Sequence, residues 1–200
     1  MKLAFYRRLF FGIVLVLFST GIAKSSQLQA SEEIWQSLHR GEAVALIRHA
    51  IAPGTGDPLG FRLGDCSTQR NLSHEGRVQS GRIGEFFRAR GIQEASVYSS
   101  QWCRCLETAR LLRLGPVSEL PALNSFFTDR ARGPEQTREI RAFISESRGK
   151  GPHILVTHQV NITALTGVFP SSGEIVIFQM RENGQGEILG RFTAPSHTSP

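Results

Sequence analysis

Hydrophobic residues recur along this chain in two rhythms that alternate with one another. In EAVALI and HILVT the apolar positions run together without a polar skip, the pattern of strands buried on both faces. ASVYSS reads as a further strand, and a short one lies near GPVSEL. Between them the spacing turns helical. SEEIWQSLHRG predicts a short helix capped by Ser31 and stopped at Gly41, and a second helix opens at Ser73, carries Val78, Ile83, Phe86 and Phe87 on one face and ends at Gly91. QWCRCLETARLL, PEQTREIRAFISES and NITALTG predict three more, with Ile140, Phe143 and Ile144 on one side of the middle one and Pro134 suited to its first turn. EIVIFQM, a turn at RENGQG, and EILGRFTA predict a hairpin at the sheet edge, while Pro53 to Asn71 gathers Gly, Pro and Asp into a surface excursion. Strands alternating with helices give an α/β class, a three-layer sandwich around a mainly parallel central sheet. No internal repeat and no linker to a second domain is visible, so residues 31–200 read as one domain.

The N-terminus departs from this rhythm. Lys2, Arg7 and Arg8 precede LFFGIVLVLF, an apolar stretch too short for a comfortable membrane span and suited to the h-region of an export signal. Residues 1–30 are therefore expected to be a signal peptide, cut after Ala23 or after Ala30, or an uncleaved membrane anchor; the expected location is the periplasm, with membrane contact only through the leader. Composition changes meaning with it. The formal charge is +6, but four basic residues and no acid lie in the first thirty, leaving about +2 beyond them. A nucleic-acid partner is not expected.

Cys66, Cys103 and Cys105 would then meet an oxidising compartment, where three cysteines make one disulfide and one leftover thiol. Cys103 and Cys105 stand two apart in a predicted helix and face different ways, so Cys66 is expected to pair with one of them. A zinc site lacks its ligand spacing.

In an open α/β sheet, ligands collect outside the carboxyl ends of the strands. Three predicted strands end there in polar groups: Arg48-His49, Ser99-Ser100 and Thr157-His158. Arg104 follows within about a turn of the second, at a helix start whose N–H groups add positive potential. Two arginines, two histidines and a helix start suit a dianionic oxyanion, most simply phosphate, because each guanidinium fork can hold two oxygens.

LIRHA, YSSQWCRCLETA and LVTHQ, in this order, resemble the signature of the histidine phosphatase superfamily, and LSHEGRVQSGRIGEFF resembles the family's helix after its first loop. The likeness runs from about Val44 to Phe178 and implies a phosphoglycerate mutase-like fold; Ala50 stands where the family usually has glycine. It implies that His49 takes the phosphoryl group as a phosphohistidine while Arg48, Arg104 and His158 hold the phosphate oxygens, with no metal or other cofactor. Thr108 matches the motif and is expected to pack or cap locally. Members that cleave ordinary esters usually carry an acid after the third strand; here Ser125 stands near that place, and Asp129 is the preferred candidate, ahead of Glu135, Asp57 and Asp65. A phosphoglycerate-type mutase and a non-catalytic phosphate-ligand binder remain the other readings. With its leader the chain resembles, in layout, the envelope enzymes that dephosphorylate the heptose of lipopolysaccharide core. The expected partner is a phosphorylated small molecule or an envelope sugar phosphate, approached past Arg62, Arg70, Arg130 and Arg132.

Overall fold

The computed structural model describes residue 29 and residues 31–195, so the predicted leader lies outside the described residues. Two compact units divide the chain, Met1–Gln36 and Ser37–Pro200. Residues 31–39 are helical (α1), so Ser31 is itself a helical residue rather than the cap before one. Gly41 turns the chain at φ +71°, where a Cβ would come within 2.5 Å of the Gly151 carbonyl oxygen, so a side chain fits neither the backbone nor the space. Among the described residues no helix is long and apolar enough to cross a membrane.

The second unit is the predicted sandwich. Six strands, β1 (Ala43–Arg48), β2 (Ser96–Ser99), β3 (Val117–Glu119), β4 (His153–Thr157), β5 (Ile175–Met180) and β6 (Gly186–Phe192), form one sheet in the order β3-β2-β4-β1-β5-β6. The pairings from β3 through β1 are parallel, and β5 and β6 close the other edge as an antiparallel hairpin. Every residue of β4 is buried, and Ala43 through Ile47 of β1 are too, which is why both read as unbroken apolar runs.

Pleating sends alternate residues to opposite layers. Val44, Leu46, Leu155, Val176 and Phe178 cluster with Ile140 and Ile144 of α4 (Gly133–Glu146) and Ile162 and Leu165 of α5 (Gln159–Thr166). By the same alternation Ala45, Ile47, Ile154 and Val156 face the other layer, where α2 (His74–Arg88) and α3 (Cys103–Leu112) pack on one another. Val78, expected on the buried face of α2, is 38% exposed. The face that packs is drawn instead by Gly76, Ser80, Ile83, Gly84 and Phe87, because the helix approaches its neighbours through backbone. A Cβ on Gly84 would fall 2.0 Å from the Leu112 carbonyl oxygen, and one on Gly76 2.1 Å from that of Ile51. Small residues, invisible to a search for apolar periodicity, set this contact.

Candidate active site

Parallel pairing of β1 with β4 sets Arg48 beside Thr157, so the next residues, His49 and His158, leave the sheet side by side. The His49 N–H donates to the Thr157 carbonyl at 2.9 Å, and the two rings lie 5.6 Å apart between centroids. On the far side of β4, β2 runs into Ser99-Ser100, and α3 then opens at Cys103 with Arg104 in its first turn. Three strand ends thus meet at one cavity of about 260 Å³, walled by Arg48, His49, Asp57, Arg70, Arg104 and His158, with Phe127 and Phe169 also on its lining.

The histidines differ in their bonds. His49 Nδ1 lies 2.8 Å from the Ala50 carbonyl oxygen, which can only accept, so Nδ1 carries the hydrogen and Nε2 keeps its lone pair. Burial first, then the Arg104 charge, with Arg70 and Arg48 behind them, outweigh that bond and push the ring pKa down to about 3. The ring is neutral at neutral pH. In His158, Nδ1 faces Nη2 of Arg104 at 3.4 Å; a guanidinium only donates, so the hydrogen sits on Nε2 and is donated to Ser100 Oγ at 2.8 Å. Burial, then Arg104, hold this imidazole far below the usual histidine range. The remaining cysteine, Cys105, is buried 3.5 Å from His158 Nε2, and burial pushes its thiol up to about 12, which keeps it protonated and unreactive.

The guanidinium groups are only partly satisfied. Arg48 donates through Nη1 to the Pro170 carbonyl at 2.9 Å, and Arg104 through Nη1 to Asp57 Oδ1 at 2.6 Å. The Nε of each is buried with no hydrogen-bond partner. Burying such a donor unpaired costs about 1–3 kcal/mol, an expense explained where a ligand supplies the acceptor. Arg70 donates to the Gly56 carbonyl at 2.9 Å and to that of Ala52, and stays charged although burial lowers its pKa to about 10. Three guanidinium groups, one carboxylate and two neutral imidazoles leave the lining with a net charge of about +2.

Of the residues singled out in the sequence, Arg48, His49, Arg104 and His158 are brought together here. Asp129 is not: it is exposed, it opens the short turn Arg130–Arg132, and Phe127 rather than Asp129 takes part in the cavity wall. Glu135 is exposed and Asp65 half-buried, and they pair with Arg138 and Arg62 away from the cavity lining. Asp57 is the carboxylate on the lining. Near Ser125, where the resemblance implies an acid, Asn124 instead accepts from the Gln101 N–H at 2.9 Å and from Ser100 Oγ at 3.3 Å, an amide bracing the serine that holds His158. Thr108 works locally as expected, accepting from the Ala50 N–H at 3.0 Å and donating to the Arg104 carbonyl. Cys66 is bonded to Cys103, tying the Pro53–Asn71 excursion to the start of α3. Of the four loop arginines only Arg70 lines the cavity; Arg62, Arg130 and Arg132 are exposed. Arg70, Phe127 and Phe169 carried no periodic or motif signal, because each lies in an irregular connection between elements, which gives a sequence no frame in which to place a side chain. Among the described residues no group of three or more His, Cys, Asp or Glu is placed to hold a metal ion.

Fold and site define an α/β protein that gathers a neutral imidazole and guanidinium groups at the carboxyl edge of a parallel sheet. The chain belongs to the histidine phosphatase superfamily (branch 1), whose profile matches residues 44–150. Its fold is similar to that of the protein histidine phosphatase SixA solved with tungstate, at 15% identity and a TM-score of 0.56 over 76% of this chain and 97% of that one. It is similar also to a mycobacterial glucosyl-3-phosphoglycerate phosphatase (16%, 0.54, over 74% and 96%) and to the phosphoserine phosphatase of Entamoeba histolytica in complex with 3-phosphoglyceric acid (13%, 0.57, over 77% and 98%). No curated protein matches the chain by sequence.

Proposed function

We propose that the protein is an exported phosphatase that hydrolyses phosphomonoesters through a phosphohistidine on His49. The observation that carries this is the bonding of His49: its Nδ1–H is fixed on a backbone carbonyl, so a neutral Nε2 keeps its lone pair in a cavity lined also by Arg48 and Arg104, each with an unpaired Nε. A lining near +2 matches a monoester dianion. Arg48 and Arg104 hold the phosphoryl oxygens, His158 borders them from the end of β4, and Nε2 attacks in line as the bond to the leaving oxygen breaks. Water then attacks the phosphohistidine, the P–N bond breaks, and its electron pair returns to Nε2. Charge is supplied by the guanidinium groups, so turnover with an aryl phosphate is expected without added metal and in the presence of a chelator. Activity that vanishes with chelator and returns with a divalent ion would refute this. A non-catalytic binder has no use for an imidazole held neutral with its lone pair free.

Export is supported by the leader sequence and by the Cys66–Cys103 bond, which belongs to an oxidising compartment. On the substrate, Phe127 and Phe169 are 40% and 71% exposed on the cavity lining, and the Arg130 guanidinium lies 5.6 Å from the Phe127 ring centroid. Exposed rings beside a phosphate site favour a leaving group with an apolar ring face, such as a sugar phosphate of the cell envelope. Phe169→Ala should then raise KM for phosphosugars and leave KM for glycerol phosphate unchanged; equal KM shifts for both count against a ring-bearing substrate.

A further inference from the structure

On the reading of the site as a phosphatase, we propose that Asp57 is the proton donor to the leaving oxygen, and that it waits on Arg104 until the substrate's phosphate displaces it. Asp57 is the one carboxylate among the described residues on the cavity lining. Its side chain is 13% exposed, with Oδ1 2.6 Å from Arg104 Nη1 and Oδ2 3.0 Å from Trp102 Nε1. It therefore takes up, on one arm of Arg104, donor capacity that a phosphate oxygen would use. Phosphate and carboxylate cannot both own that arm.

The loop is built for such a handover. Trp102 stacks on Phe61 at 5.1 Å, the Cys66–Cys103 bond fixes the far end of the loop, and Arg70 clasps the Ala52 and Gly56 carbonyls. Inside these ties Asp57 follows Gly54 at φ +92° and Gly56 at φ +68°, residues whose backbone can shift where others are confined. Asp57 can leave Arg104 without the loop leaving the site.

The step balances. As the dianion takes Arg104, the released carboxylate stands beside a second anion and takes a proton from solvent. His49 Nε2 then forms the P–N bond, the P–O bond to the leaving group breaks, and the leaving oxygen takes the Asp57 proton. In the second half Asp57 accepts one proton from the attacking water, whose oxygen forms the new P–O bond as the P–N bond breaks.

Full-length wild type, Asp57→Asn, Asp57→Glu and Asp129→Asn are assayed on glycerol phosphate, a poor leaving group, and dinitrophenyl phosphate, a good one. General acid catalysis contributes about 10²–10⁴-fold, so Asp57→Asn should lose on the order of 10²-fold or more in kcat/KM on glycerol phosphate and less than about 10-fold on dinitrophenyl phosphate. Asp57→Glu, which keeps a carboxyl, should recover part of the loss, and Asp129→Asn should match wild type. Inorganic phosphate should inhibit Asp57→Asn at lower concentration than wild type, because its competitor for Arg104 is gone; a bond that only braced the fold would not produce that gain. Equal losses on both substrates, or weaker phosphate inhibition of Asp57→Asn, overturn the proposal, as does a leaving-group-dependent loss in Asp129→Asn instead. Wild type with neither turnover nor an acid-labile phosphoenzyme removes the phosphatase reading and this inference with it. A uniform loss in an otherwise active system removes the inference alone.

Discussion

His49 and His158 follow neighbouring parallel strands, stand at matching points of the register, and are both buried, 3% exposed each. Their surroundings lower both rings for the same two leading causes, burial and Arg104. What separates them is hydrogen bonding. His49 bonds through Nδ1 to a backbone acceptor and leaves Nε2 uncommitted, whereas His158 has both nitrogens engaged, by Arg104 and by Ser100. Symmetry of position becomes asymmetry of role: a ring with one lone pair to spare can attack, and a ring tied at both ends orients the guanidinium and the hydroxyl that hold it.

The largest effect expected from breaking this comparison is on His49. His49→Ala should lower kcat by about 10⁴-fold or more, in the range of nucleophile deletions, trap no phosphoenzyme, and still bind inorganic phosphate through Arg48 and Arg104. An active His49→Ala enzyme that accumulates an acid-labile phosphoenzyme would transfer the nucleophile's role to another group. His158→Ala should cost about 10²–10³-fold, the scale for removing one transition-state contact, while a phosphoenzyme still forms on His49. Rapid-quench labelling separates the two variants, and loss of labelling in both would erase the distinction.

A third measurement tests the neutral state the two rings share. Each histidine is held below its unfolded pKa, so the folded protein binds fewer protons than the unfolded chain at intermediate acidity, and stability falls as pH drops. The His49 contribution is whole above the unfolded value of 6.5 and is lost as pH falls from there toward about 3. At about 1.4 kcal/mol per pH unit per group, His49 alone should remove roughly 2 kcal/mol between pH 6.5 and 5. Denaturant midpoints at these two pH values, compared between wild type and His49→Asn, should show the steeper slope in wild type. Identical slopes would mean that His49 is not held neutral. The smallest effect is expected from Ser100→Ala, which leaves His158 Nε2–H without its acceptor: about 1 kcal/mol, or fivefold in kcat, with labelling of His49 intact. A loss as large as that of His158→Ala would mean that Ser100 itself handles the phosphate.

Much of this was legible in the sequence. Arg48-His49 and Thr157-His158 stood out because each ends an unbroken apolar run, and an unbroken run means a strand buried on both faces whose end must open onto something. The alternation of β1, β2 and β4 with helices gave the sheet, and the spacing from Ser99-Ser100 to Arg104 placed an arginine at a helix start. Spacing points Cys66 to a partner in α3 but does not choose between Cys103 and Cys105, and the fold selects Cys103. Val78 shows where periodicity misleads: α2 packs through Gly76 and Gly84, whose lack of a side chain lets backbone meet backbone.

The residues from Pro53 to Asn71, by contrast, have no period, so nothing local says which side chain turns inward. Only the fold decides that Asp57 reaches Arg104 from 47 positions away, that Arg70 closes its own loop over Ala52 and Gly56, and that Asp129 stays outside. The sequence by itself determined the strands, the order of the chemistry along them and the cationic character of their ends, because these follow from local pattern. Tertiary structure alone decided which carboxylate enters the cavity and which imidazole keeps a lone pair, because both depend on contacts between segments far apart in the chain.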